Sequence, residues 1–204
     1  TQTPINLPGG VSDPDLTTFV DDFDTSDSEQ EVSNSEFIAN VADGAMNLSV
    51  LAPGVSDEVR NDEVQARGDF TFTLDVGSLS GEGEILASVR EVSDNASWRF
   101  AVNPVSQTWR LDRESTFGNG YYVWIMPREY GARVPDDLHT ITIERQRDDL
   151  TFLLNGVDVV NPVNTPLPDV DGPVTIGFGA GIQPESTSRS FAVAIDRITL
   201  REAA

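Results

Sequence analysis

The chain of 204 residues contains no cysteine, no lysine and a single histidine. Without cysteine there is no disulfide, no thiolate nucleophile and no thiolate-bound metal, and His139 on its own excludes multi-histidine sites. Zinc hydrolases, cysteine hydrolases and thiol redox proteins are thereby set aside, and nothing in the sequence points to an organic cofactor. All 13 bases are arginine and they face 34 acids, for a net charge of −21. A chain this acidic repels phosphate, so nucleic acid and anionic membrane surfaces make poor partners. No apolar run reaches the length of a bilayer span, which predicts no membrane insertion. A lysine-free, Asp-rich composition is what a GC-rich genome, a high-salt habitat or both would leave. The missing cysteine is compatible with secretion.

What is present is alternation. Residues 1–17 carry three prolines and two glycines with little periodicity, so 1–18 read as an extended arm or linker ahead of a domain over 19–204. From Phe19 onward, short segments of period two recur between turn signals. Phe37–Ala42 meets Ala45–Leu51 across Asp43-Gly44, and Leu150–Leu154 meets Val157–Val160 across Asn155-Gly156. Both dipeptides supply the positive φ angles of a two-residue hairpin. Phe70, Phe72, Leu74 and Val76 form one face of a strand, as do Ile85, Ala87 and Val89, and Ile141 and Ile143. In the closing segment the apolar parity switches from Phe191, Val193 and Ile195 to Ile198 and Leu200, which predicts a bulge near Asp196-Arg197. No helical window of useful length appears, and eight prolines fall between segments. The pattern predicts an all-β chain: a two-sheet antiparallel β-sandwich with an extended N-terminal arm.

The opening FVDDFDTSD (19–27), the hairpin IERQRDDLTFLLNGVDVV (143–160), the strand GPVTIGFGA (172–180) and the closing FAVAIDRITL (191–200) together resemble the concanavalin A-like lectin/glucanase superfamily. Within it the chain is similar to the bacterial laminin G-like and 3-keto-disaccharide-hydrolase-like jelly-roll modules that occur outside the cytoplasm. The resemblance covers about residues 19–201 and carries topology rather than chemistry. It implies a secreted or cell-surface setting and glycan-related work. In jelly-roll carbohydrate-binding modules, to which the arrangement is similar, the first and last strands share a structural calcium. Carried over, this implies Asp22 or Asp24 with Asp196 as ligands.

Three sets of residues are candidates for chemistry. Laminarinase-type hydrolases on this fold carry a Glu-x-Asp-x-(x)-Glu strand whose acids line one face. The nearest stretch here is Gly81-Glu82-Gly83-Glu84-Ile85-Leu86, which offers Glu82 and Glu84 but lacks the central acid. Glu144 and Asp112 are the other carboxylates a cleft could recruit. Asp21, Asp22 and Asp24 open the fold, of which Asp22 and Asp24 with Asp196 are the calcium candidates, while Asp169-Val170-Asp171-Gly172 imitates an EF-hand start without its closing acid. For sugar, Tyr122 and Trp124 share one parity of a strand and Arg99 and Arg110 point away from the core on others. If the strands are neighbours these four form a patch, with Arg128 and Tyr130 on its rim. On this reading no residue is catalytic and His139 starts a strand. The expectation is a non-catalytic extracytoplasmic binding module for a glycan or cell-surface polymer, with calcium as a structural ion. A filament or surface-layer subunit that self-associates through residues 1–18 is the alternative, and a carbohydrate-active hydrolase the second.

Overall fold

The computed structural model describes residues 18–24, 32–92, 97–114, 121–125, 134–159 and 170–203. The segments of period two become strands, and among the described residues there is no helix. One sheet contains β1 (Thr18–Asp21), β2 (Val32–Ser33), β3 (Phe37–Ala42), β4 (Ala45–Val50) and β6 (Phe70–Gly81). It is completed by β11 (Thr140–Gln146), β12 (Asp149–Leu154), β13 (Val157–Asp158) and β15 (Phe191–Glu202). The second is built from β5 (Ser56–Ala66), β7 (Glu84–Glu91), β8 (Ser97–Asn103), β9 (Thr108–Glu114), β10 (Tyr121–Ile125) and β14 (Val174–Gly181). Strand order is β13-β12-β11-β6-β15-β4-β3-β2 in the nine-stranded sheet, with β1 on β15, and β10-β9-β8-β7-β14-β5 in the six-stranded one. Every pairing is antiparallel.

The expected hairpins form for the expected reason. Asp43 and Gly44 take φ of 57° and 73°, and Asn155 and Gly156 take 50° and 78°, the left-handed pair whose twist matches the flanking strands. The bulge also falls where the parity switches: β15 pairs Ile195 with Val76 and Arg197 with Asp75, leaving Asp196 extra. Asp196 and Arg197 are therefore both exposed, while Ile195 and Ile198 are both buried.

The two sheets bury one apolar layer between them. Phe100 of the six-stranded sheet meets Phe152 of the other with ring centroids 5.2 Å apart, and stands 5.8 Å from Trp109 beside it. Phe23, just past β1, packs on Phe178 at 6.5 Å. Such tilted pairs add to the apolar area they bury.

The other face of the six-stranded sheet positions the site, and β14 shapes it. Val174, Ile176, Phe178 and Ala180 turn to the core, leaving Gly177, Gly179 and Gly181 on the outward face. A Cβ on Gly179 would sit inside contact distance of the Asp57 carbonyl, and one on Gly177 would stand 2.7 Å from Ser88 Oγ. Strand β5 thus closes over β14 more tightly than any side chain there would allow. The result is strong curvature. Arg99 on β8 reaches Asp112 on β9 at 3.1 Å and Ser56 on β5 at 3.4 Å. Strands β8 and β5 lie three interstrand steps apart, each about 4.8 Å in a flat sheet, a span beyond one arginine. The outward face is a concave trough.

Gly179→Ala is expected to lower stability by about 1–3 kcal/mol, the usual cost of forcing atoms into a filled space. Gly68→Ala, whose Cβ would meet nothing within 4 Å, should change it by no more than about 0.5 kcal/mol. Urea unfolding midpoints of the two variants check this, and equal midpoints would refute the close approach of β5.

Candidate functional site in the concave trough

Directly opposed residues share a face, so the strand registers lay the trough floor out in rows. One row runs Ser56, Gly181, Glu84, and the next Glu58, Gly179, Leu86, Ala101, Arg110. A third runs Arg60, Gly177, Ser88, Arg99, Asp112 and, on β10, Val123. Charged side chains reach over the small residues between them. Ser88 Oγ donates to Glu58 Oε2 across the glycines of β14 at 3.1 Å, and Arg60 Nη2 meets that same oxygen at 2.8 Å. Arg110 spans Ala101 to bind Glu84 on β7, while its Nε donates to Asp112 at 2.9 Å. Gln183, just beyond β14, donates to Glu84 Oε1 at 2.6 Å.

Glu84 and Asp112 are consequently 4% and 1% exposed yet carry cationic partners. Burial works against the charge on Arg110, but the carboxylates of Glu84 and then Asp112 outweigh it and hold the guanidinium above its ordinary pKa. Asp112 touches two guanidiniums, those of Arg99 and Arg110, whereas Glu84 touches one together with a neutral amide. One arginine thus contacts two buried carboxylates in a concave setting.

The structure regroups the expected residues. Arg99 and Arg110 do point away from the core on adjacent strands, as expected, but inside an ion network rather than on an open patch. Register pairs Tyr122 with Arg113, while Val123 is the residue opposite Asp112. The Tyr122 position therefore lies on the opposite face of the sheet from Arg99 and Arg110. Arg113 lies over the buried Trp98 ring at 5.2 Å, on the core side of the sheet. Trp124 falls in the irregularity between Val123 and Ile125. The expected grouping came from giving the core to the β-branched parity of β10, whereas register on β9 decides it. Arg128 and Tyr130 lie outside the described residues, as does the arm up to residue 17. Glu82 and Glu84 do not act together on one strand: Glu84 opens β7 inside the trough, and Glu82 sits in the turn before it. Glu144 lies on the other sheet, opposite Thr71 and Thr151. His139 is exposed beside β11, with Nδ1 2.9 Å from the Asp137 carbonyl. Asp112 entered the sequence reading only in passing, because its partners are Arg110, two residues back on the same strand, and Arg99, on the neighbouring strand by register.

At the calcium candidates, β1 does lie on β15, with Asp21 opposite Ile198. Asp22, Asp24 and Asp196 are exposed, and the Asp196 carboxylate lies against Gly77, where a Cβ would collide with it. Among the described residues no three carboxylates or histidines converge as a metal cage. The three aspartates thus do not fit calcium by themselves, since a hard cation takes six to eight oxygens. The buried acid of this region is Asp21, whose Oδ1 accepts the Phe23 N–H at 2.9 Å while Oδ2 has no partner among the described residues. Burial raises its pKa above the ordinary 3.8, the Phe23 bond opposes this, and Asp22 adds to it.

No protein-family model matches the chain. No curated protein matches it either. Among solved structures it shares the fold of the concanavalin A-like superfamily, so the expected jelly-roll sandwich is the one observed. A κ-carrageenase of Zobellia galactanivorans superposes with a TM-score of 0.56 at 9% identity, covering 100% of both chains. A β-glucanase of Bacillus licheniformis gives 0.56 at 12%, covering 97% of this chain and 100% of its own. The Crh5 transglycosylase gives 0.59 at 14%, covering 100% and 89%. At such identities the likeness is one of fold. It nevertheless corrects the expectation of a non-catalytic binding module, because these three structures, matched over most of both chains, are named as a carrageenase, a glucanase and a transglycosylase. Among the described residues no helix is long and apolar enough to cross a membrane.

A raised acid pKa means the native state holds the proton more tightly, so Asp21 adds stability as pH falls toward 3.8 and that contribution is lost as pH rises through the raised value. Asp21→Asn keeps the Oδ1 acceptor and removes the charge. It should therefore melt higher than the parent at neutral pH, with the gap closing on acidification. A gap independent of pH, in melting curves taken across the acid range, would exclude this role.

Proposed function

We propose that the protein is a carbohydrate-active enzyme that cleaves glycosidic bonds in the trough, with Glu84 and Asp112 as the working carboxylates. The observation that carries the reading is that both meet on the Arg110 guanidinium across a concave sheet face. Two carboxylates separated by roughly 5–9.5 Å are what the two glycosidase geometries use. Asp112, against two guanidiniums, takes the anionic role beside the positive charge that develops at the anomeric carbon. Glu84, against one guanidinium and an amide, is the less tightly paired of the two, and it becomes the proton carrier once substrate draws Arg110 away from it. It delivers its proton to the leaving glycosidic oxygen as the C–O bond breaks, and recovers one from the water that adds to the anomeric carbon. Leu86 and Ala101, both buried in the floor between them, keep the setting dry. The departure from a Glu-x-Asp-x-(x)-Glu strand is part of the reading: β7 supplies one acid only, and β9 supplies the other. Polymeric glycans are met outside the cytoplasm, and the same reading places the protein there.

Release of reducing ends from a panel of β-glucans, chitin oligomers and galactans tests this directly. Glu84→Gln is expected to lower the rate on the responsive glycan roughly 10²-fold or more, as loss of a general acid does. Asp112→Asn should lower it comparably, with near-ultraviolet circular dichroism confirming that each variant keeps its packing. A panel with no cleavage, or cleavage that survives both substitutions in folded protein, would overturn the proposal.

A further inference from the structure

Glu58 stands in the second row of the trough, the row that ends on Arg110, and its carboxylate reaches across the glycines of β14 as far as Ser88 on β7. Its two oxygens have different surroundings. Oε2 accepts from Ser88 Oγ at 3.1 Å and from Arg60 Nε and Nη2 at 3.0 and 2.8 Å. Oε1 is buried without a partner among the described residues, on a side chain only 7% exposed. A buried acceptor left without a donor is costly, and a charged one more so, which points to a donor supplied from outside the chain. Three donors on Oε2 also hold Oε1 at one place, as an acceptor fixed in advance of binding. Arg99 covers this row. It belongs to the third row on β8 and binds Ser56 in the first row on β5, so its arm crosses the second row. Leu86 faces outward in that row and is accordingly buried. At 3.4 Å the Arg99–Ser56 contact is longer than an ordinary hydrogen bond of this kind, and a ligand displaces it at little cost.

We propose that Glu58 is a substrate-binding, specificity-determining residue of the trough, whose Oε1 accepts a ring hydroxyl of the glycan once the Arg99–Ser56 contact opens. The inference rests on the enzymatic reading above and adds what the trough selects, a glycan with an unsubstituted hydroxyl at that position. An ether or a sulfate ester there offers no proton and would set a second acceptor against a carboxylate already buried. Discrimination of this kind is sharper than apolar fit, because the penalty falls on a polar group that the site has desolvated. A cationic group is a poorer match than a hydroxyl, since Arg60 and Arg99 already bring positive charge to the same part of the floor.

The test is calorimetric binding of hexamers of β-1,3-glucose, β-1,4-glucose, β-1,4-N-acetylglucosamine and β-1,4-galactose, with their O-methylated forms, in a Glu84→Gln background that stops turnover. Glu58→Gln keeps the shape of the side chain and changes its chemistry. Arg60 has donors only, so the amide oxygen takes the Oε2 side and the NH2 group stands where Oε1 stood. The variant should weaken the tightest hexamer about tenfold or more and shrink its advantage over the methylated form. Ser56→Ala frees Arg99 from across the row and should tighten the same hexamer about two- to fivefold. Glu144→Gln, on the other sheet, is the charge control and should leave affinity unchanged. Unchanged affinity in Glu58→Gln overturns the inference and assigns Oε1 to a trapped water. Equal weakening of free and methylated hexamers, the result of a purely structural role, overturns it as well. So do weakening by Ser56→Ala, equal weakening by the control, and failure of every hexamer to bind. The enzymatic reading is judged separately, by whether cleavage in the parent protein depends on Glu84.

Discussion

Strand β14 presents Gly177, Gly179 and Gly181 to one side of the six-stranded sheet, and the approach of β5 over that bare strip is what bends the sheet. Interstrand spacing is set by backbone hydrogen bonds and hardly varies, so curvature must come from what stands on the inside of the bend. Side chains there would hold β5 away. With hydrogen atoms in their place, β5 closes until Glu58 and Ser56 come within reach of Ser88 and Arg99. The link from Arg99 to Ser56 is thus a consequence of the glycine row. It could not form on a flat sheet, where its two ends would stand three interstrand steps apart.

Curvature also explains why so many charges tolerate burial. An isolated buried carboxylate is costly, and removing one partner from a buried pair costs more than the pair is worth. Here Glu58, Glu84 and Asp112 are each contacted by a guanidinium where they are buried, and two of the cations serve more than one partner. Arg110 serves two acids and Arg99 joins an acid on the neighbouring strand to a hydroxyl three strands away on the other side. The apolar contribution comes from the opposite face, where Phe100, Trp109 and Phe152 fill the space between sheets. The two faces of β8 and β9 therefore do different jobs: one stabilises the sandwich, the other holds charge at fixed positions.

The fold was legible in the sequence because its determinants are local. Asp43-Gly44 and Asn155-Gly156 specify hairpins from two residues each, and the parity switch at Asp196 marks a bulge without reference to a partner strand. The site was legible only in part, because its determinants are registers. Arg99 and Arg110 could be assigned to the outward face from alternation alone, and they are there. That Asp112 lies between them depends on which residue of β9 opposes which residue of β8, and a shift of one would reverse it. The same dependence misplaced Tyr122. On a strand apolar at both parities, composition does not choose a face, and the choice is made by Arg113 across the ladder. The alternating glycines of VTIGFGAG were the one local signal of the trough, since bare positions at period two on a central strand mark close approach.

The absence of lysine has a consequence at this level. An ammonium is a point charge on a flexible stem, whereas a guanidinium is a planar fork that can serve two partners at fixed angles. Arg110 uses that fork on Glu84 and Asp112, and Arg145 uses it on the carbonyls of Arg147 and Gly172, at 2.6 and 2.7 Å, tying the β11–β12 turn to the start of β14. A lysine at either position would gather its donors on a single nitrogen and could not hold both partners at the spacing the planar fork sets. Whatever drove the composition, the cations left in the trough are the kind that can fix two carboxylates relative to each other. That relation, rather than the presence of acids in a strongly acidic chain, distinguishes this face from the rest of the surface.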